Sequence, residues 1–127
     1  MRLLLVDDDE VLRCIVGESL TDNGHEVDLA VDGIEALQQL ARRSYDAVIC
    51  DWEMPRMDGP TLCRTVRSGP LGREPYFIML TGKDSPVAEA DGFDSGVDAY
   101  LAKPCEPTDL LAALRTAQSI GAIPKAA

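Results

Sequence analysis

Two kinds of apolar pattern alternate along the chain. Leu3-Leu4-Leu5-Val6, Ala47-Val48-Ile49-Cys50 and Tyr76-Phe77-Ile78-Met79-Leu80 are continuous apolar runs, as strands buried on both faces require. Between them, apolar residues recur at helical spacing. Leu12, Ile15, Val16, Ser19 and Leu20 predict a first helix that ends near Gly24. Glu26 to Ala30 alternates and reads as a strand. Asp32 then stands as an N-cap, with Glu35 in the capping-box position. Ile34, Leu37, Leu40 and Ala41 are the expected buried face of the second helix. Asp58-Gly59-Pro60 opens a third, with Pro60 in its first turn and Leu62, Cys63 and Val66 facing inward. Ser68 to Gly72 reads as loop. Ser85-Pro86 opens a fourth helix, weakened by Gly92 at about 1 kcal/mol relative to Ala. Tyr100-Leu101-Ala102 is a short last strand. Pro107 opens a fifth helix with Leu110, Leu111, Leu114 and Ala117 as its inner stripe, and from Ile120 the chain is expected to fray. Five strands alternating with five helices predict an α/β domain with a parallel sheet.

A chain of 127 residues has room for one such domain and no second core. Its 22 acids against 12 bases give a net charge of −10. That balance argues against direct binding to nucleic acid, which needs clustered Lys and Arg. It argues equally against an anionic membrane surface. No apolar run approaches a spanning helix. The opening Met1-Arg2-Leu3-Leu4-Leu5-Val6 stops at Asp7, too soon for a signal peptide, so a cytoplasmic protein is expected. Cys14, Cys50, Cys63 and Cys105 form no CxxC pair and read as reduced thiols, mostly small buried hydrophobes. Cys105, in a polar stretch, fits that reading least well. The single histidine, His25, lies in a turn and carries no assigned chemistry.

The polar residues that matter fall where strands stop. Asp7 and Asp8 follow the first strand, Asp51 the third, Thr81 the fourth and Lys103 the last. In an open parallel sheet the carboxyl ends of the strands converge on one crevice, so residues far apart in sequence become neighbours. Three carboxylates in one cleft repel each other and are stable together only beside cations. Lys103 supplies one positive charge. A hard divalent ion, Mg²⁺ or Mn²⁺, suits an all-oxygen donor set. Lys103 and the Thr81 hydroxyl would then face an anion, the requirement of phosphoryl transfer. Acids at strand ends can also serve merely as helix caps or solvated loops. That reading covers one of these residues easily and the whole set poorly.

Four blocks in this order resemble a response-regulator receiver domain, the phosphoacceptor module of two-component signalling. They are Leu4 to Asp9, Val48 to Gly59, Ile78 to Gly82 and Asp98 to Pro104. The resemblance covers about residues 1–118. It implies a flavodoxin-like (βα)5 fold, with strand order 2-1-3-4-5, over residues 1–119. Residues 120–127 are left as a tail or the start of a linker. By the same resemblance, Asp51 accepts a phosphoryl group from the phosphohistidine of a sensor histidine kinase or phosphotransfer protein. Asp7, Asp8, Asp51 and the backbone carbonyl of Glu53 hold Mg²⁺, with Mn²⁺ as a substitute. Lys103 pairs with a phosphoryl oxygen. Thr81 and Tyr100 form the switch, and the Lys103-Pro104 bond is cis.

The same likeness implies that phosphorylation changes the face made by the fourth helix, fifth strand and fifth helix. That face would engage an effector domain or partner protein, or support a phosphorylation-dependent dimer. Glu53 and Lys83 are expected to pair across the pocket mouth. Tyr100 could instead be a plain edge-strand aromatic. Asp9 reads as the first helix's cap, and Trp52, Met54 and Met57 as packing residues. Two other classes stay open: a small metal-dependent phosphatase with Asp51 as nucleophile, and an unphosphorylated receiver-like interaction module. The chain alone does not choose between a stand-alone protein and the receiver of a longer regulator.

Overall fold

Each apolar run becomes a strand of one sheet, and the intervening periodic segments become the helices that cover it. The computed structural model describes residues 1–69, 75–82, 96–103 and 105–123. In order these form β1 (Arg2–Val6), α1 (Glu10–Asp22), β2 (Glu26–Ala30), α2 (Gly33–Arg42), β3 (Ala47–Asp51), α3 (Gly59–Arg67), β4 (Tyr76–Thr81), β5 (Ala99–Ala102) and α4 (Pro107–Ser119). The sheet has five strands in the order β2-β1-β3-β4-β5, and every pairing is parallel. The fifth helix of the sequence reading is α4. The expected fourth helix, with Gly92, lies outside the described residues.

Successive residues of a strand point to opposite faces, and β1 and β3 have apolar residues in both directions. Leu3, Leu5, Ile49, Ile78 and Leu80 pack under α1 and α4 with Val16, Leu20, Leu110 and Leu114. Leu4, Val6, Val48, Cys50, Phe77 and Met79 pack on the other face with Ala36, Leu40, Leu62 and Cys63. This double burial makes the inner strands continuous apolar runs.

The helix ends follow local chemistry. Asp9 caps α1, its Oδ1 accepting the Val11 and Leu12 amides at 3.0 and 3.2 Å. Asp32 caps α2 through the Glu35 amide at 2.8 Å. Asp58 caps α3 through Thr61, with Pro60 in the first turn. Gly24, at φ 87°, takes the left-handed turn after α1.

Two helices are rolled relative to the periodicity. In α2 the buried stripe is Gly33, Ala36 and Leu40, while Ile34 is 41% exposed and Ala41 also faces solvent. Leu40 is buried and Leu37 packs on the core as expected, but the rest of the stripe turns toward Gly33 and Ala36, where Gly33 lies against Met57. In α1, Gly17 lets the helix approach β2 so closely that a β-carbon there would lie 3.3 Å from Leu29. That roll leaves Ile15 56% exposed and turns Cys14 to solvent, whereas Cys50 and Cys63 are buried as expected. The chain does not fray at Ile120. The Ala122 amide donates to Ala117 O at 2.9 Å, and Ile123 folds back into the core at 2% exposure. Among the described residues no helix is long and apolar enough to cross a membrane.

Candidate functional site

The carboxyl end of β1 delivers Asp7 into the interior. Its amide donates to Ala30 O at 3.1 Å, extending the β1–β2 ladder by one bond. Its carbonyl accepts Nη1 of Arg13 at 2.6 Å, a contact from α1 with no signal in the sequence pattern. Its Oδ1 accepts the Asp9 amide at 2.9 Å. The whole residue is inaccessible to solvent, and Oδ2 has no hydrogen-bond partner among the described residues. Asp8 next to it is exposed.

Asp51 is the last residue of β3 and is 7% exposed. Its Oδ2 lies 3.0 Å from Nζ of Lys103, which is also 3.6 Å from Asp7 Oδ2. The Glu53 backbone, two residues on, also favours the charged form of the Asp51 carboxylate. Lys103 is held by its own backbone, whose amide donates to Thr81 O at 2.7 Å. Thr81 ends β4 and is buried. Sequence reasoning therefore placed Asp7, Asp8, Asp51, Thr81 and Lys103 at one end of one sheet, and they are there.

One carboxylate oxygen from each of Asp7, Asp8 and Asp51 lies within 4.8 Å of the others. Three negative charges thus face one ammonium. Burial raises the pKa of Asp51 above the ordinary carboxylate value, and the Lys103 ion pair only partly opposes it. Burial also raises Asp7, with the Asp9 amide pulling it back and the Asp51 charge pushing it further up. For Lys103 burial acts downward, but the two carboxylates outweigh it and hold the ammonium above its ordinary value. A buried Oδ2 with no hydrogen bond among the described residues, only a long ion pair to a shared ammonium, beside two more carboxylates fits a hard divalent cation with oxygen ligands.

The β3–α3 loop closes one side of this end. Trp52 donates its amide to Leu80 O and accepts the Gly59 amide on its carbonyl, both at 2.9 Å. Gly59 approaches so closely that a β-carbon would sit 2.6 Å from the Asp51 carbonyl oxygen. The Trp52 ring stacks near Tyr100 of β5, centroids 6.4 Å apart and planes inclined 30°. Met54 and Met57 pack against the same core face, as expected. Lys83 and Pro104, and with them the expected Glu53 pairing and the cis bond, lie outside the described residues.

Known proteins share this fold. The family model described as response regulator receiver domain matches residues 3–115. The response regulator MprA of Mycobacterium leprae (strain TN) is 44% identical over 115 residues, covering 91% of this chain and 50% of that protein. The MprA of Mycobacterium bovis (strain BCG / Pasteur 1173P2) is 43% identical over the same length. The chain spans about half the length of the curated relatives it matches. Among solved structures, the chemotaxis protein CheY4 of Vibrio cholerae superposes with a TM-score of 0.86 at 35% identity, covering 91% of this chain and 96% of that one. A Chloroflexus aurantiacus J-10-fl protein described as a response regulator gives 0.86 at 40% identity, covering 93% and 97%.

Proposed function

This chain belongs to the response regulator receiver domain family, the phosphoacceptor module of two-component signalling, and on that premise we propose that Asp51 is its acceptor. The reading rests on one observation above all. Asp51 stands at a strand end beside Lys103, within a cluster of carboxylates that includes a buried oxygen with no hydrogen bond among the described residues.

In the proposed reaction, a carboxylate oxygen of Asp51 attacks the phosphorus of a phosphohistidine on a sensor kinase or phosphotransfer protein. The new O–P bond forms as the P–N bond breaks, and the imidazole nitrogen leaves with the bonding pair. Lys103, already 3.0 Å from the acceptor, shifts its ion pair to a phosphoryl oxygen and neutralises part of its charge. Asp7, Asp8, Asp51 and the Glu53 carbonyl are the proposed ligands of Mg²⁺, or of Mn²⁺ in its place. A bound divalent ion would supply the positive charge that the carboxylates and the incoming phosphoryl oxygens both lack. The Thr81 hydroxyl donates to the phosphoryl group, and Tyr100 follows it as the second half of the switch. Because phosphorylation adds charge and strong acceptors at one pole, the expected response is a population shift at the β5–α4 face. That face would bind an effector domain, a partner protein or a second copy.

Treatment with acetyl phosphate and Mg²⁺, followed by intact mass, tests the acceptor. Wild-type protein should gain one phosphoryl group and Asp51→Asn none. Fluorescence of Trp52, the only tryptophan, should respond to Mg²⁺ and again to the phosphodonor. A phosphorylated Asp51→Asn protein would overturn the assignment. A wild type that takes up no phosphoryl group would leave the interaction-module reading.

A further inference from the structure

Arg56 is the one non-glycine residue with positive φ among the described residues, at 70°. In that region a β-carbon crowds the backbone, and glycine or asparagine fits more readily. Retaining an arginine there points to work done by its side chain. Its Nη2 donates to Oδ2 of Asp32, a carboxylate only 3% exposed. The other Asp32 oxygen is occupied with the Glu35 amide. One buried aspartate therefore caps α2 with Oδ1 and holds the β3–α3 loop with Oδ2.

A second contact lies beside the first. A β-carbon on Gly33 would be 2.9 Å from three atoms of Met57, so α2 and the loop meet without a gap. At its far end the loop is fastened by the Trp52 and Gly59 amides. Glu53 lies between these fastenings, two residues past Asp51.

We propose that the Arg56–Asp32 pair is a latch that positions the loop of residues 52–58, so that Glu53 and Asp51 present their oxygens in the arrangement a divalent cation needs. Arg56 is a positioning residue here and touches neither metal nor phosphoryl group. The inference rests on the metal reading above, and its sign separates it from simple electrostatics. On charge alone, deleting a cation from an acidic domain favours Mg²⁺ binding. Loss of positioning does the opposite.

Three variants test it. Arg56→Gly removes the pair and suits the positive φ. Asp32→Asn removes the charge and keeps a residue that caps helices well. Arg56→Lys keeps the charge without the planar fork. Mg²⁺ is titrated against Trp52 fluorescence, and amide exchange of residues 52–58 is followed in the metal-free protein. Arg56→Gly and Asp32→Asn should each weaken Mg²⁺ binding about tenfold, the scale of lost outer contacts to a metal site. The double variant should be no worse than either single, because both break one contact. Arg56→Lys should recover part of the loss, and exchange in the loop should quicken in the first two. Unchanged or tighter Mg²⁺ binding in Arg56→Gly, or losses that multiply in the double variant, would overturn the latch. A wild type that ignores Mg²⁺ would instead sink the metal reading. The latch then stands or falls on exchange, and an unchanged loop in Arg56→Gly refutes it.

Discussion

Asp98 and Asp7 are both held against the same parallel sheet, at opposite ends; Asp98 takes a direct hydrogen bond from a guanidinium, whereas Asp7 has only a long ion pair to a shared ammonium among the described residues. Asp98 lies just ahead of β5. Its Oδ2 accepts the Phe77 amide at 2.8 Å and Nη2 of Arg67 at 2.7 Å. Arg67 also donates to Pro75 O at 2.7 Å and Gly96 O at 3.1 Å, and its guanidinium lies 5.4 Å from the Phe77 ring centre. Gly96, at φ 98°, makes room, since a β-carbon there would be 2.8 Å from Arg67 Cγ. At the amino end of the strands, then, charge is used up in joining α3, β4 and β5. At the carboxyl end Asp7 is fully buried and, among the described residues, its Oδ2 has no hydrogen-bond donor and the nearest ammonium is shared with Asp51. A half-buried carboxylate with its partners, like Asp98, is structure. One without them is a cost to folding that a ligand can relieve.

That contrast can be broken most sharply at Asp51. Asp51→Asn should abolish phosphoryl uptake by intact mass, while Asp98→Asn should still become phosphorylated. Next in size, Arg67→Ala should destabilise the domain by about 3 kcal/mol in denaturant melts, because it leaves Asp98 and two carbonyls short of a donor. Its Mg²⁺ affinity should stay near wild type. Asp7→Asn should do the reverse. It should weaken Mg²⁺ binding at least tenfold and stabilise the metal-free protein by about 1 kcal/mol, the size of a charge repulsion at 4 Å in water. A metal-free Asp7→Asn protein less stable than wild type would erase the distinction between the two ends.

The smallest effect is in pH. Asp7 and Asp51 have folded pKa values raised above 3.8, so the folded protein holds more protons than the unfolded chain above that pH. Stability from these two groups therefore falls as pH rises from about 3.8 through their folded values, and is regained on acidification. Lys103 acts elsewhere: its raised pKa stabilises the fold at all pH below 10.5 and is lost only above that. The melting-temperature advantage of metal-free Asp7→Asn should thus shrink as pH is lowered from neutrality toward 3.8. Saturating Mg²⁺ should remove it at the higher pH. An advantage constant across that range would mean that burial of charge is not its origin.

Much of this was legible in one dimension. Strand burial shows as unbroken apolar runs, because a strand covered on both faces has no polar side. Asp9, Asp32 and Asp58 announce their helices, because an N-cap acts within three residues of itself. The site residues could be read because a parallel sheet gathers all its strand ends at one pole. Where the inward stripe of α1 and α2 ends was not legible, and Ile15 and Ile34 were misread for that reason. Val16, Leu20, Leu37 and Leu40 turn inward as the periodicity implies. The edge of each stripe is equally periodic on either side, and the close approaches of Gly17 to Leu29 and of Gly33 to Met57 lie on the side that is buried. Ile123 was misread as fraying because its partners sit in the folded core. Arg13, Arg56 and Arg67 carried no pattern at all, since an arginine's place depends on which carboxylate or carbonyl the fold brings within its reach. Local sequence thus determined the elements and the pole where the chemistry gathers. The tertiary structure alone decided which charges there are matched and which are left for a ligand, because pairing across the fold depends on distance in space and not on distance along the chain.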